Sequence, residues 1–432
     1  MAVLFLARAH FRARAEKRTA AAVESAQNKN APTAVSCRPS VLLKTHTHSH
    51  IPVASTIPYR RAPAATEERS AAKVTRSEAV MAPSERAQQL REGAQRGSAE
   101  DQYRFAWCYD VGAEGLKENK WMAAALYGKS AEQGHAGAQV NLGVMHAKGV
   151  GVEQNLELAV SLYHQAAKQG DPNGQCNLGT MYQHGRGVEW NLESAVSCYH
   201  QAARQGHPRG QTCLGSMYAN GAGVARNLEL AASWYSKSAE LGDPKGQCNL
   251  GVMSLKGLGV ERNPLIAVSY FRQSAEQGSL EGQCCLANCL ENGTGVEKDI
   301  QSALTLYRKA ANAGHARAQG NLAACYQEGK GMKRDDALAV EWREKAAVLG
   351  HAMSQSCLGR WYMHGEFGLP KNIKCAKMFL KAAAKRGNLK AIEALKVLRG
   401  SALELEPGPC AACGAPGITR RQGRGAPPES PH

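Results

Sequence analysis

The sequence has 432 residues, a formal net charge of +16, 43% hydrophobic residues and only 6% aromatic residues. No apolar run approaches the roughly 20 residues of a membrane span, and the 14 cysteines fall below the roughly 8–10% typical of a disulfide scaffold. These values exclude a membrane-spanning helical protein, a disulfide-rich miniprotein and a collagen-like fibre.

The first segment, residues 1–98, carries 16 Lys and Arg side chains against 7 Glu. A charged segment of this kind buries too little apolar surface to fold, so we predict a basic, low-complexity and mostly disordered leader. Met1–Arg18 is compatible with a basic amphipathic helix and resembles an organelle transit peptide. We predict a cytoplasmic protein. If this segment acts as a transit peptide, the alternative is a mitochondrial or plastid location.

From residue 99 onwards, glycines recur in three ladders with a period of 36 residues, which indicates repeated structural units. The first ladder contains Gly134, Gly170, Gly206, Gly242, Gly278, Gly314 and Gly350, followed by Gly387 after a one-residue insertion near Phe367. The second contains Gly149, Gly185, Gly221, Gly257, Gly293, Gly329 and Gly365. The third contains Gly151, Gly187, Gly223, Gly259, Gly295 and Gly331, with Gly368 displaced by the insertion.

A single unit, residues 136–171, is predicted to be a helical hairpin. Its first helix spans Ala136–Lys148, because apolar and small residues recur there at helical spacing. A Gly-rich turn follows, and Asn155 occupies the position where a side-chain oxygen caps the next helix. Gly170 supplies a left-handed stop after the second helix. Gly143 lies inside the first helix, which implies close contact with a neighbouring helix.

Neither helix of such a unit can bury its apolar face within 36 residues, so the units must stack. We predict an all-α fold: a right-handed superhelical α-solenoid of about eight helix-turn-helix repeats. The solenoid covers residues 99–400, and residues 389–400 form a capping helix.

The repeat pattern resembles that of the Sel-1-like repeat family, which is related to tetratricopeptide repeats. One unit carries the pattern as Gln175, Leu178-Gly179, Met181-Tyr182, Gly185, Gly187-Val188, Asn191, Ala195, Tyr199, Ala202-Ala203 and Gly206. The resemblance extends over residues 99–388 and implies a scaffold that gathers protein partners on a concave face. Two features depart from the pattern and predict weaker joints: Ala287 and Ala323 replace the first-helix glycine, and Arg343 replaces the second-helix aromatic residue.

Cysteines are scattered through the repeats and the tail. Equivalent repeat positions lie on the order of 10 Å apart, too far for a disulfide, so we predict small buried thiols in a reducing compartment. The last segment, residues 401–432, is a Pro- and Gly-rich tail with a lone Cys410-x-x-Cys413 pair. This pair resembles half of a MYND-type zinc finger, but zinc needs four ligands and no second Cys pair follows. We therefore predict no metal and no cofactor.

Variable positions of the first helices should line the concave side and contact a protein or an extended peptide. Nucleic acid is a poor candidate for the partner, because residues 99–369 carry 25 basic against 26 acidic side chains. The predicted partner-binding residues are Gln183, Arg209, Asn220, Lys245, Glu281, Glu291, Asn292, Arg317, Gln327 and Glu328.

A lysine stripe marks the last repeat. Its members recur at helical spacing, which is compatible with a soluble end cap or with an anion-binding patch. They are Lys374, Lys377, Lys381 and Lys385.

The sequence predicts a non-enzymatic adaptor, because no nucleophile, base and orienting residue occur as a set. Two alternatives remain. One is a hydrolase of the β-lactamase-like type, which the resemblance to cysteine-rich relatives implies. The other is binding of an anion or a nucleic acid through the basic C-terminal cap.

Overall fold

The computed structural model describes residues 84–403, with side chains described through residue 398, and every regular element in this range is an α-helix. The helices are, in chain order, α1 Glu85–Gln95, α2 Ala99–Val111, α3 Lys120–Glu132, α4 Ala136–Lys148, α5 Leu156–Lys168, α6 Pro172–His184, α7 Leu192–Arg204, α8 Pro208–Asn220, α9 Leu228–Glu240, α10 Pro244–Lys256, α11 Pro264–Glu276, α12 Leu280–Asn292, α13 Ile300–Asn312, α14 Ala316–Glu328, α15 Asp336–Val348, α16 Ala352–His364, α17 Ile373–Ala384 and α18 Leu389–Leu403. From α2 to α17 they form eight hairpins, each with a first and a second helix.

Each second helix begins where the sequence places an Asn or Asp. The Oδ1 atom of Asn155 accepts a hydrogen bond from the Leu158 amide at 2.9 Å, which satisfies a free donor of the first turn. The second helix of each of the eight hairpins begins with the same cap. The capping residues are Asn119, Asn155, Asn191, Asn227, Asn263, Asp299, Asp335 and Asn372. The predicted helix starts are thus confirmed.

The hairpin turn requires glycine at two positions. Gly185 ends α6 in the left-handed conformation, with a φ of 59°. Gly187 has a φ of 67°, and a Cβ built on it would lie 2.4 Å from the backbone carbonyl group of Leu156. The turn of one repeat therefore rests directly on the main chain that begins the second helix of the preceding repeat.

The mid-helix glycine packs against an aromatic ring of the second helix. A Cβ on Gly179 would lie 2.8 Å from Cε1 of Tyr199, a fully buried ring of α7. Close approach at this position was predicted from the recurrence of the glycine, and the structure confirms it. The core of this hairpin consists of the Tyr199 ring together with small residues such as Ala195 and Ala202.

Buried glutamines join several hairpins to the preceding one. Gln355 in α16 donates from Nε2 to the carbonyl oxygen of Ala347 at 2.9 Å, near the end of the preceding second helix. Gln319 does the same for Ala311 at 3.0 Å. A single buried side chain therefore satisfies a helix-end carbonyl and connects two repeats.

The hairpins stack in sequence order into a solenoid, as predicted. Successive first helices approach each other more closely than successive second helices do. The first helices therefore form one continuous surface along residues 99–364, which we call the first-helix face.

An additional helix, α1, lies before the first repeat. Residues 1–98 were expected to be mostly disordered, but α1 lies within this segment, and its Leu90 packs with Phe105 and Cys108. Helix α1 carries no repeat signature, so the 36-residue periodicity begins only after it. The C-terminal capping helix α18 is confirmed and extends to Leu403. The transit-peptide prediction and the Cys410/Cys413 pair lie outside the described residues.

Between residues 84 and 403, none of the helices combines the length and the apolar character needed to cross a bilayer.

Candidate functional site on the first-helix face

Four of the predicted residues occupy equivalent positions near the start of successive first helices. Arg209, Lys245, Glu281 and Arg317 lie on α8, α10, α12 and α14. Lys245 is exposed, while Glu281 and Arg317 expose 46% and 44% of their side chains and form an ion pair. Arg209 is half-buried, near the thiols of Cys176 and Cys213. The row therefore carries charges of both signs, but Arg209 is partly withdrawn from solvent.

Histidine caps extend this row from one repeat to the next. His315 precedes α14, and its Nδ1 accepts a hydrogen bond from the Ala318 amide at 3.3 Å. Its Nε2 therefore carries the hydrogen and donates to Glu281 Oε2 at 2.8 Å. His135 contacts Glu100 in the same way at 2.9 Å. Each contact ties the cap of one helix to the first turn of the preceding first helix.

These contacts shift the acidity of the carboxylates. The hydrogen bond from His315 lowers the pKa of Glu281 below its usual value, although partial burial opposes the shift. The hydrogen bond from His135 does the same to the pKa of Glu100. The sequence analysis missed this ladder because histidine is not among the preferred capping residues.

Predicted residues near the helix ends are partly used inside the hairpins. Gln183 accepts a hydrogen bond from the Tyr199 hydroxyl at 2.7 Å. Glu291 accepts one from the Tyr307 hydroxyl at 3.0 Å and pairs with Lys330 at 3.0 Å. These residues therefore link the two helices of a repeat, and they are less available to a partner than the sequence suggested.

Arg343 makes the corresponding contact in the seventh repeat. Its guanidinium donates to Gln327 Oε1 at 3.0 Å and lies 5.3 Å from the centre of the Trp361 ring. We expected the loss of the aromatic residue to weaken this joint. The structure instead preserves the hydrogen bond between the two helices and adds a cation–π contact with the next repeat.

Three predicted residues remain open to solvent at the ends of the first helices. Asn220 and Asn292 are exposed, and Glu328 is exposed and pairs with Lys330 at 2.8 Å. Only the exposed members of the predicted set are directly available to a partner.

A row of amide side chains runs along the middle of the first-helix face. Its members occupy equivalent positions in the second, third, fifth and seventh repeats, and each is buried or half-buried. They are Asn141, Asn177, Asn249 and Asn321. The sequence analysis missed this row, although the 36-residue period contains it.

Cysteines interrupt the amide row and contact the first helix of the preceding repeat. The Sγ atoms of Cys248 and Cys285 are 3.8 Å apart, although the two residues are 37 positions apart in the chain. A hydrogen bond from Cys248 lowers the pKa of the Cys285 thiol, and the same contact raises the pKa of Cys248. The sequence analysis compared only equivalent positions and therefore missed these pairs.

The lysine stripe lies on α17, the last second helix, and at the residue that follows it, Lys385. Lys374, Lys381 and Lys385 are exposed and Lys377 is half-buried. None of the four forms an ion pair with another residue in the described part of the chain. Anion binding by this stripe stays a prediction.

Comparison with known proteins gives a consistent result along the repeats. The Sel1 repeat model matches eight consecutive segments, at residues 99–135, 136–171, 172–207, 208–243, 244–279, 280–315, 316–351 and 352–388. A search of curated proteins finds no match.

The solved structures that are similar to this chain include two bacterial proteins. One is c5321, a protective antigen of uropathogenic Escherichia coli strains with an SLR fold, which is 34% identical with a TM-score of 0.50. The alignment covers 73% of this chain and 67% of c5321. The other is a Sel1 repeat protein from Oxalobacter formigenes, 29% identical with a TM-score of 0.50, and here the alignment covers 61% of this chain and 97% of that protein.

Proposed function

The chain belongs to the Sel1 repeat family, and from this premise we propose that it is a non-enzymatic adaptor that binds an extended polypeptide on its first-helix face. Solenoids of this family are typically scaffolds for protein interactions. The observation that carries the proposal is the chemistry of that face. It combines a row of amides with charged side chains of both signs.

Amide side chains suit an extended main chain because each amide offers both a donor and an acceptor. Equivalent positions in neighbouring repeats lie on the order of 10 Å apart, and this distance corresponds to about three residues of an extended peptide. Asn249 on α10 lies between the exposed Lys245 and Lys256, so this helix combines amide and charge recognition. A polar peptide with acidic side chains fits α10.

The hydrolase alternative receives less support. An open cavity of about 380 Å³ lies between the second helices α9 and α11, and its lining includes Glu229, Ser233 and Ser236. Ser236 donates its hydroxyl to Glu240 at 3.0 Å, and no histidine or lysine lines this cavity. A serine that pairs only with an exposed carboxylate, with no histidine or lysine to take its proton, lacks the usual activation of a serine nucleophile.

The proposal is tested by reversing charge on one first helix. Lys245 and Lys256 are 11 positions apart on α10, which places them on the same side of the helix. In quantitative affinity capture, Lys245→Glu combined with Lys256→Glu should reduce recovery of specific partners about tenfold, because a close like-charge contact replaces an attraction. Arg209 is left unchanged because it is half-buried and its reversal would disturb packing.

The matched control reverses two exposed lysines of the second helices, Lys168→Glu with Lys309→Glu. This variant has the same net charge as the test variant and should retain the partners. Equal recovery with the test variant and the wild-type protein would refute binding at α10. Equal loss with both variants would show that net charge, and not the first-helix face, determines binding.

A further inference from the structure

One cluster on the first-helix face combines two thiols with a carboxylate. Cys248 lies on α10, and Glu281 and Cys285 lie on α12, the first helix of the next repeat. The sulfur atoms are 3.8 Å apart, and Glu281 Oε1 lies 4.0 Å from Cys285 Sγ. All three ligand atoms lie within 4.8 Å of one another. From this geometry we propose that Cys248, Cys285 and Glu281 bind a thiophilic divalent cation of the zinc type.

The distances match those of a tetrahedral zinc site. With zinc–sulfur bonds of about 2.3 Å, the edge between two sulfur ligands of a tetrahedron is about 3.8 Å. This value equals the separation of the Cys248 and Cys285 sulfurs, so a cation can bind both without movement of the helices. A carboxylate oxygen at about 2.0 Å from the metal would lie about 3.5 Å from each sulfur. Glu281 Oε1 lies 4.0 Å from Cys285 Sγ and within 4.8 Å of Cys248 Sγ, so it would have to approach both sulfurs, and its side chain is 46% exposed.

Neighbouring side chains supply the charge and the orientation that such a site needs. Two thiolates and one carboxylate carry three negative charges, so a divalent cation leaves one in excess. Arg317 balances this charge, with its guanidinium 3.0 Å from Cys285 Sγ and ion-paired with Glu281. His315 holds Glu281 Oε2 at 2.8 Å, and Oε1, which pairs with Arg317 in the metal-free protein, would turn to the metal. Contacts of this kind to the ligands typically raise metal affinity.

Three protein ligands leave the fourth position of a tetrahedron open. Glu281 is partly exposed, so this position is accessible to water from the first-helix face. A bound cation would join α10 to α12 and thereby clamp two successive repeats. This clamp is independent of the proposed partner binding.

The chain contains an internal control for this site. The preceding pair of repeats carries Cys176 and Cys213 at the positions equivalent to Cys248 and Cys285, and their thiols also interact. The residue equivalent to Glu281, however, is Arg209. This second thiol pair therefore lacks the carboxylate ligand and has a cation in its place, so it should bind metal weakly.

The test uses cobalt(II) as a spectroscopic probe with the full chain in its reduced form. Thiolate coordination gives an intense charge-transfer band, and zinc should displace the cobalt. Compared with the wild-type protein, Cys248→Ser with Cys285→Ser should lose one equivalent of bound cobalt together with its band. Cys176→Ser with Cys213→Ser should keep both. Comparing variants in this way cancels any binding by Cys410 and Cys413, which all the proteins retain.

A second variant separates ligand loss from misfolding. Glu281→Gln removes the charged ligand on a partly exposed side chain, keeps the helical circular dichroism spectrum, and should weaken zinc binding at least tenfold. Unchanged zinc affinity in this variant, or an unchanged cobalt band after replacement of Cys248 and Cys285, would overturn the proposal. Equal loss of the band in both double-cysteine variants would overturn it as well, because it would remove the role of Glu281.

Discussion

At the scale of single residues, the contact between Gly179 and Tyr199 determines how closely the two helices of a repeat approach. A Cβ atom added at Gly179 would lie only 2.8 Å from the Tyr199 ring, so a methyl group there must displace the ring or the helix. Alanine at the equivalent position 287 is fully buried, which shows that another repeat accommodates the methyl group with its own spacing.

We predict that Gly179→Ala destabilises the protein by about 1–2 kcal/mol. Overpacking in a tight core costs about 1–3 kcal/mol, and the higher helix propensity of alanine recovers up to about 1 kcal/mol. Denaturant unfolding measures the change. Adding Tyr199→Leu should remove the clash, so that the double variant is more stable than the sum of the two single changes predicts. Strict additivity would contradict the proposed contact.

His207 gives the protein a pH dependence that originates at one residue. Burial lowers its pKa below the usual 6.5, and the nearby charge of Arg209 lowers it further. The folded protein therefore binds this proton less readily than the unfolded chain does. The stability from neutral His207 is complete above about pH 6.5 and is lost as the pH falls through the lower folded pKa.

We expect His207→Asn to reduce the loss of stability on acidification. Asparagine is a good helix cap but does not titrate, so the variant keeps the start of α8. Melting temperatures at about pH 7.5 and about pH 5.5 should differ less in this variant than in the wild-type protein. His164→Asn, at an exposed position on α5, serves as the control and should behave like the wild-type protein. An equal response in both variants would disprove the role of His207.

At the scale of helices, the caps decide where each element begins. Second helices begin at an Asn or Asp, whose position was predictable because it recurs every 36 residues and because the capping chemistry is strong. The first helices use Ser, Asp or His, such as Asp171 before α6 and His315 before α14. The histidine caps were missed because histidine is not among the preferred capping residues, and the contact from His315 to Glu281 involves another repeat.

We predict that Asn191→Ala lowers the stability by about 1 kcal/mol, because the amide of Ser194 loses its acceptor at 2.8 Å. Asn191→Asp should have a much smaller effect, since a carboxylate accepts the same hydrogen bond and favours a helix start. Urea unfolding of the two variants measures the difference. Equal stability of the two variants would show that α7 begins independently of this cap.

At the scale of the molecule, the repeat number and the stacking of hairpins were predictable because every unit carries the same signals. Helix α1 was not, since a single non-repeated helix leaves no periodic trace and is recognised only by its packing on Phe105. The Cys248–Cys285 pair was also beyond the sequence analysis. It depends on an offset of 37 between neighbouring repeats, which follows from how the first helices lie against each other. The ladder periodicity identifies the elements but not the side chains that meet between them.

The close contact between Gly187 and the main chain of Leu156 has a mechanical consequence. Because no carbon atom fits between them, adjacent hairpins have a fixed separation along the edge that contains these glycine turns. Along the opposite edge, the chain itself connects neighbouring units, as residues 205–207 do between α7 and α8, and the side chain of His207 adds a contact to Asn173 at 3.1 Å. Adjacent hairpins are therefore attached at both edges. We expect them to rotate slightly about these two attachments and not to separate when a ligand binds.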